Sequence, residues 1–346
     1  MSNSLHAFLQ SIGGAFANDG ECTFSSDPID LHRLDAIDVM VPLSHYGLLQ
    51  ISGPDAEKFL QGQITCSAAE VSPTLSSPGA YCTAKGRVVT SFQLLRPRDN
   101  HFLLRMRSDL LDIAARTFGK YVVFSKAQLS IADDMLGIGL RGQHVAQLLG
   151  NMTAQPLPGL RNGVTLYADG VLIQRDDSGI WFEYWGSSAA VAALWEQCQG
   201  KCSATGTRYW HWLNIRAGIG EICAATTEMF LPHMLNYHLT GAINFKKGCY
   251  TGQEIVARTH YRGQVKRHLV RAAVLGSTPT IGADIVDGNG NGNGKTLGNV
   301  VDRVQIDAQN TEILAVINGE IASTGSTKLH GGEVYLQMLE LPYAIP

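Results

Sequence analysis

Short apolar runs and longer periodic stretches alternate along most of this chain. Gly47–Ser52, Gly79–Thr83, Val88–Leu95, Phe102–Arg105, Leu136–Leu140, Val164–Tyr167, Val171–Gln174 and Trp181–Trp185 are brief, rich in branched and aromatic residues, and bounded by turn formers; they predict strands. Leu5–Ile12, Leu110–Phe118, His144–Leu149, Ala189–Gln197 and Arg208–Ala217 space their apolar residues three and four apart and predict helices. In the last of these, Trp212 and Ile215 share a side with Ile219 beyond its end. Gly53-Pro54-Asp55 opens a further helix, with proline near its first position and Phe59 and Leu60 on its core face. Ala84-Lys85-Gly86-Arg87 predicts a tight turn between two strands.

Beyond residue 265 the pattern changes. His268–Leu275, Leu297–Val304, Glu312–Ile317 and Glu333–Leu339 predict strands separated by Gly-rich turns, with Asp287–Gly294 as a polar hairpin tip. Few helical patterns remain, which fits a small antiparallel barrel or sandwich as a separate C-terminal domain. The expectation is an α+β protein with a β-rich tail.

Composition narrows the class. At 346 residues with 45% hydrophobic and 16% charged, the chain is expected to be soluble and to hold two or three domains. No apolar run approaches the roughly 20 residues of a membrane span, and the N-terminus lacks the pattern of a secretory signal. Seven scattered cysteines predict reduced thiols in the cytoplasm rather than a disulfide framework.

Three motifs are weak in context. Gly137-Ile138-Gly139-Leu140-Arg141-Gly142 has the dinucleotide-binding spacing, but its first glycines fall inside a predicted strand instead of after it. Gly294-Lys295-Thr296 resembles the end of a phosphate-binding loop, but the position for its first glycine is Asn289. Cys198 and Cys202 form a C-x3-C pair without a second pair to complete a zinc site.

The stretch Lys246-Lys247-Gly248-Cys249-Tyr250-Thr251-Gly252-Gln253-Glu254 concentrates the chemistry. Thr251 and Glu254 have capping-box spacing before Ile255-Val256-Ala257, so a helix is expected to start just after the cysteine. A helix N-terminus and adjacent ammonium groups both favour a thiolate at Cys249. From Lys246 to Arg271 seven Lys/Arg stand against Glu254 alone, a surplus of six in a chain of net charge −3. That asymmetry suggests an anionic partner. His233, His238 and His260 read as ordinary loop or helix residues.

Lys247-Gly248-Cys249-Tyr250-Thr251-Gly252-Gln253-Glu254 resembles the signature of the YgfZ family of folate-binding proteins, relatives of the glycine-cleavage aminomethyltransferase (T-protein). Phe59–Thr65, Lys85-Gly86-Arg87 and Phe230-Leu231-Pro232 carry the same resemblance. It implies three domains in a ring around a central folate site, with a C-terminal β-barrel domain. The corresponding division is a body over residues 1–265, made of 1–130 with 205–265 and of 131–204, followed by a barrel over 266–346. It further implies tetrahydrofolate or another reduced folate as ligand and no resident metal. The implied role is support of iron–sulfur enzymes or cluster-assembly proteins, including an enzyme that thiolates tRNA.

A folate needs a carboxylate for the guanidine-like edge of its pterin and cations for its glutamate tail. Glu183, within Trp181-Phe182-Glu183-Tyr184-Trp185, resembles the T-protein acid that engages the pterin. Lys247, Tyr250, Gln253, Glu254 and Arg258 of the signature, with Lys85 and Arg87, complete the candidate site. Cys249 is the candidate functional thiol: a nucleophile, a soft ligand shared with a partner, or a redox-sensitive group. Where the T-protein carries catalytic aspartate, Lys85-Gly86-Arg87 and Val88-Val89-Thr90-Ser91 hold no carboxylate. Aminomethyl transfer is therefore expected to be lost, and whether the chain is an enzyme stays open. A folate-dependent one-carbon transferase and a tRNA-binding regulator are the alternative readings.

Overall fold

The computed structural model describes residues 3–16, 20–153, 155–263, 265–287, 296–318, 327–329 and 336–345. The predicted tip from 288 to 294 and the Gly294-Lys295 pair lie outside these residues. The chain divides into two compact units. The first comprises residues 1–62, 67–78 and 92–210, and the second 63–66, 79–91 and 211–346.

The first unit holds a mixed sheet whose strands lie in the order Val164–Tyr167, Gly170–Gln174, Trp181–Ser187, Met135–Arg141, Val39–Pro42 and Ser203–Ala204. All neighbours are antiparallel except Ser203–Ala204 beside Val39–Pro42. Side chains alternate across a strand. Leu136, Ile138, Leu140, Leu172, Phe182 and Tyr184 accordingly join one core with Phe8, Leu9, Val191, Leu194 and Trp195 from the helices Asn3–Ser11 and Ser188–Cys198. In a second sheet of this unit His101–Arg107 pairs with Tyr46–Ser52, which pairs with Gln128–Ile131.

The glycines with dinucleotide spacing are packing residues. A Cβ at Gly139 would lie 2.1 Å from the Trp210 ring, and one at Gly137 2.6 Å from that of Trp185. Their hydrogens leave room for two indoles, and the strand Met135–Arg141 runs straight through them. Cys198 and Cys202 are buried, and a hydrogen bond joins their side chains.

The second unit contains a six-stranded antiparallel sheet in the order Thr327–Leu329, Asp284–Asp287, Thr296–Gln305, Asn310–Asn318, Arg267–Leu275, Leu336–Leu339. Its core includes Ala272, Val274, Ile285, Val300, Ile313, Ala315 and Ile317. Residues 217–252 of this unit form turns and single 3-10 turns, and the helix Gln253–Arg262 follows.

Candidate functional site

Cys249 is exposed, and the other six cysteines are buried. A loop fixed on both sides of the sulfur carries it. On one side the Lys247 ammonium donates to the carbonyl oxygens of Ile64 (2.6 Å) and Cys66 (2.8 Å). The backbone N–H groups of Lys246 and Lys247 both donate to Asn244 Oδ1, closing a side-chain turn. On the other side the Tyr250 ring is buried, with Lys247 Nζ 5.1 Å from its centroid. Burial, with Cys82 as a smaller influence, pushes the Tyr250 hydroxyl above its ordinary range. Between these anchors nothing lies within 4 Å of the Cβ position of Gly248. A rigid frame presents one accessible thiol.

The capping box is not formed. The helix begins at Gln253 behind Gly252, whose backbone is left-handed at φ +84°, and no side chain caps it. Thr251 Oγ1 instead meets Gln63 Oε1 at 3.4 Å. A Cβ at Gly252 would stand 2.5 Å from the Thr83 carbonyl oxygen, so close backbone approach decides this boundary. Thr83 follows the strand Ser77–Cys82 and leads into Lys85-Gly86-Arg87, so the signature and that turn pack together. A Cβ at Gly86 would lie 2.9 Å from Ile255 Cγ2 on the signature helix. The Gly86 N–H donates to the Thr83 carbonyl at 2.8 Å, and Arg87 Nη1 donates to the Met229 carbonyl. Lys85 and Arg87 are exposed, as are Glu254 and Arg258, whereas Gln253 is half-buried.

Glu183 lies in the first unit and is fully buried. Its Oε1 is 3.3 Å from Arg105 Nη2 and 3.2 Å from Arg175 Nε, and its Oε2 accepts from Trp185 Nε1 at 3.1 Å. Oε1 has charge contacts but no hydrogen bond of good geometry among the described residues. Arg175 Nη1 donates to Gln93 Oε1 at 3.1 Å, and Gln93 Nε2 donates to Ser76 Oγ at 2.8 Å and to Asn162 Oδ1 at 3.2 Å. This acid is thus the centre of a buried ionic network.

Sequence reasoning passed over His233. It is 1% exposed, and its ring centroid lies 4.9 Å from that of His238 and 5.9 Å from that of His260. Burial, then the two neighbouring histidines, hold its pKa down to about 4. His260 lies 22 residues beyond His238, and no spacing rule joins it to the other two. Among the described residues, no group of three His, Cys, Asp or Glu side chains is arranged to hold a metal ion. No helix there is long and apolar enough to cross a membrane.

No family model matches the chain. Its fold matches the glycine cleavage system aminomethyltransferase T of Bartonella henselae with a TM-score of 0.78, over 99% of this chain and 97% of that one at 17% identity. The architecture is therefore that of the aminomethyltransferase T proteins. Over 314 residues the chain is 30% identical to the tRNA-modifying protein YgfZ of Klebsiella pneumoniae strain 342, covering 88% of this chain and 93% of that protein. It belongs to the YgfZ family.

Proposed function

We propose that this protein binds tetrahydrofolate or a reduced derivative and acts in the cytoplasm as an accessory factor in tRNA modification. Its clients are iron–sulfur enzymes that thiolate tRNA, or the proteins that assemble their clusters, and Cys249 is its functional thiol. The observation that carries this reading is the exposure of Cys249 within the Lys247–Glu254 signature, on a loop held by Lys247 and Tyr250.

The residues present suit a folate. Exposed Lys85 and Arg87 suit the carboxylates of the glutamate tail. Tyr250, Gln253, Glu254 and Arg258 stand on the helix or loop that these cations flank. When bound, a reduced folate supplies a carrier for one-carbon units. The chain itself contributes binding groups and a thiol, and the Lys85-Gly86-Arg87 turn offers no carboxylate to orient a reacting amine. One thiolate falls short of the four that usually hold a stable cluster, so Cys249 would share any iron or cluster with a client.

The test pairs calorimetric titration with tetrahydrofolate and a Cys249→Ala strain assayed for thiolated tRNA. Folate binding together with loss of thiolation supports the proposal. Absence of folate heat together with full complementation ends it. Turnover of 5,10-methylenetetrahydrofolate by purified protein favours the one-carbon transferase instead.

A further inference from the structure

The second unit carries a cavity of about 440 Å³ whose lining includes Leu231, His233, Met234, Arg258, Arg262, Lys266 and Arg267. Four of its lining side chains are cations: Arg258, Arg262, Lys266 and Arg267. None of the lining residues is acidic, and among the described residues no carboxylate pairs with any of the four cations. Four unpaired positive charges around one concavity repel each other, and an anion placed there relieves that repulsion. The buried His233 also lines the cavity, and neither of its ring nitrogens has a hydrogen-bond partner among the described residues. An unsatisfied buried imidazole calls for a partner that this chain does not supply.

Beside the cavity stands an aromatic surface. Phe245 and His260 stack at 3.7 Å between centroids and 15° between planes. Tyr261 packs edge-on against both, at 6.2 Å from Phe245 and 4.8 Å from His260, and remains 68% exposed. Open aromatic faces next to a cationic groove are what unpaired nucleotides require, with bases on the rings and phosphates among the cations. A glutamate tail would use the cations and leave the rings idle.

We propose that this cavity and the Phe245–His260–Tyr261 surface form a binding site for a single-stranded segment of RNA, with a backbone phosphate in the cavity and an adjacent base stacked on the aromatic surface. The choice of RNA over DNA rests on the role in tRNA modification proposed above; the nucleic-acid chemistry of the site does not. His233 contributes a neutral hydrogen-bonding group, Arg262 and Lys266 neutralise phosphate, and Tyr261 supplies the stacking face.

The test measures fluorescence anisotropy of an unmodified tRNA transcript, a short single-stranded RNA and a DNA of the same sequence, using the full chain. Variants are Arg262→Glu/Lys266→Glu and, for a change that leaves charge alone, Tyr261→Ala. Tetrahydrofolate titration of each variant monitors the separate folate reading, and circular dichroism monitors folding. The expected result is RNA binding at low salt that weakens at least tenfold in the double variant. Removing two phosphate contacts on a single strand should also lower the salt slope by about 1.4. Tyr261→Ala should weaken binding about fivefold or more, with folate binding retained. Equal affinity for DNA keeps the nucleotide site and overturns its assignment to RNA. No RNA binding at low salt, unchanged binding in folded variants, or recognition of polyglutamylated folate alone overturns the proposal.

Discussion

Arg105 Nη2 lies 3.3 Å from Glu183 Oε1, with both side chains almost fully withdrawn from solvent. Arg175 approaches the same oxygen from a second direction at 3.2 Å. Arg105 also sits over the Tyr46 ring, 4.2 Å from its centroid, and Arg175 faces the Trp181 ring at 5.6 Å. Two guanidinium groups therefore share one carboxylate in an aromatic enclosure.

Removing that carboxylate leaves two cations in an interior that disfavours uncompensated charge. Glu183→Ala should destabilise the protein by about 3–5 kcal/mol, the usual result of breaking a buried ion pair from one side. Urea unfolding of the purified variant checks this. A loss below about 1 kcal/mol would mean that water reaches the arginines and that Glu183 is free for another role.

Gly86 holds the Lys85–Arg87 turn against the signature helix. Its φ is +73°, in the region that favours glycine, and Ile255 Cγ2 occupies the space a side chain would need. Gly86→Ala should cost about 1–3 kcal/mol from backbone strain and displaced packing. Ile255→Ala in the same background should recover part of that loss by removing the clash, whereas independent sites would simply add. A double-mutant cycle of thermal unfolding distinguishes the two outcomes.

Much of this arrangement was legible in the sequence because it rests on local signals. Strand and helix positions followed from period and punctuation: Val164–Tyr167 has the expected ends, and Trp181–Trp185 extends only to Ser187. Lys85 and Arg87 were set beside the signature for their charge alone; that the turn packs on the signature helix, Gly86 against Ile255, no local pattern announced. The misread features are those decided by distant partners. Thr251 and Glu254 have capping spacing, yet Gly252 takes the cap position because the Thr83 carbonyl leaves no room for a Cβ. The setting of Glu183, which no local pattern announces, comes from Arg105 on another strand and Arg175 just beyond one. His233 owes its environment to His238, His260 and Phe245, which converge only in the folded unit.

Cys249 should be the fast-reacting thiol of the native protein. The six other cysteines are buried, and burial also pushes the Cys82 thiol up to about 12. Ellman's reagent should titrate about one rapid equivalent under native conditions and all seven after unfolding, with the rapid phase gone in Cys249→Ala. Lys247→Met should preserve the rapid equivalent while lowering stability by about 1.5–3 kcal/mol, because the Ile64 and Cys66 carbonyls lose a charged donor. Two rapid equivalents in the wild type would contradict the burial pattern.

The His233 cluster predicts how stability responds to acid. Its folded-state pKa is held down to about 4, first by burial and then by His238 and His260. Arg258, Arg262, Lys266 and Arg267, which line the same cavity, oppose a positive imidazole in the same sense. An unfolded histidine titrates near 6.5, so between about pH 6.5 and 4 the unfolded chain holds a proton that folded His233 lacks. Stability from this group is therefore complete above about pH 6.5 and declines as pH falls through the window. At about 1.4 kcal/mol per pH unit, the loss between pH 7.5 and pH 5 should be about 2 kcal/mol for His233. His233→Gln, which cannot titrate, should flatten the dependence by that amount in urea unfolding at the two pH values. An unchanged slope in the variant would assign the acid sensitivity to other groups. A bound phosphate should oppose this trend, because an anion in the cavity favours the protonated ring. Saturating inorganic phosphate should then reduce the loss at pH 5 for the wild type and leave His233→Gln less affected.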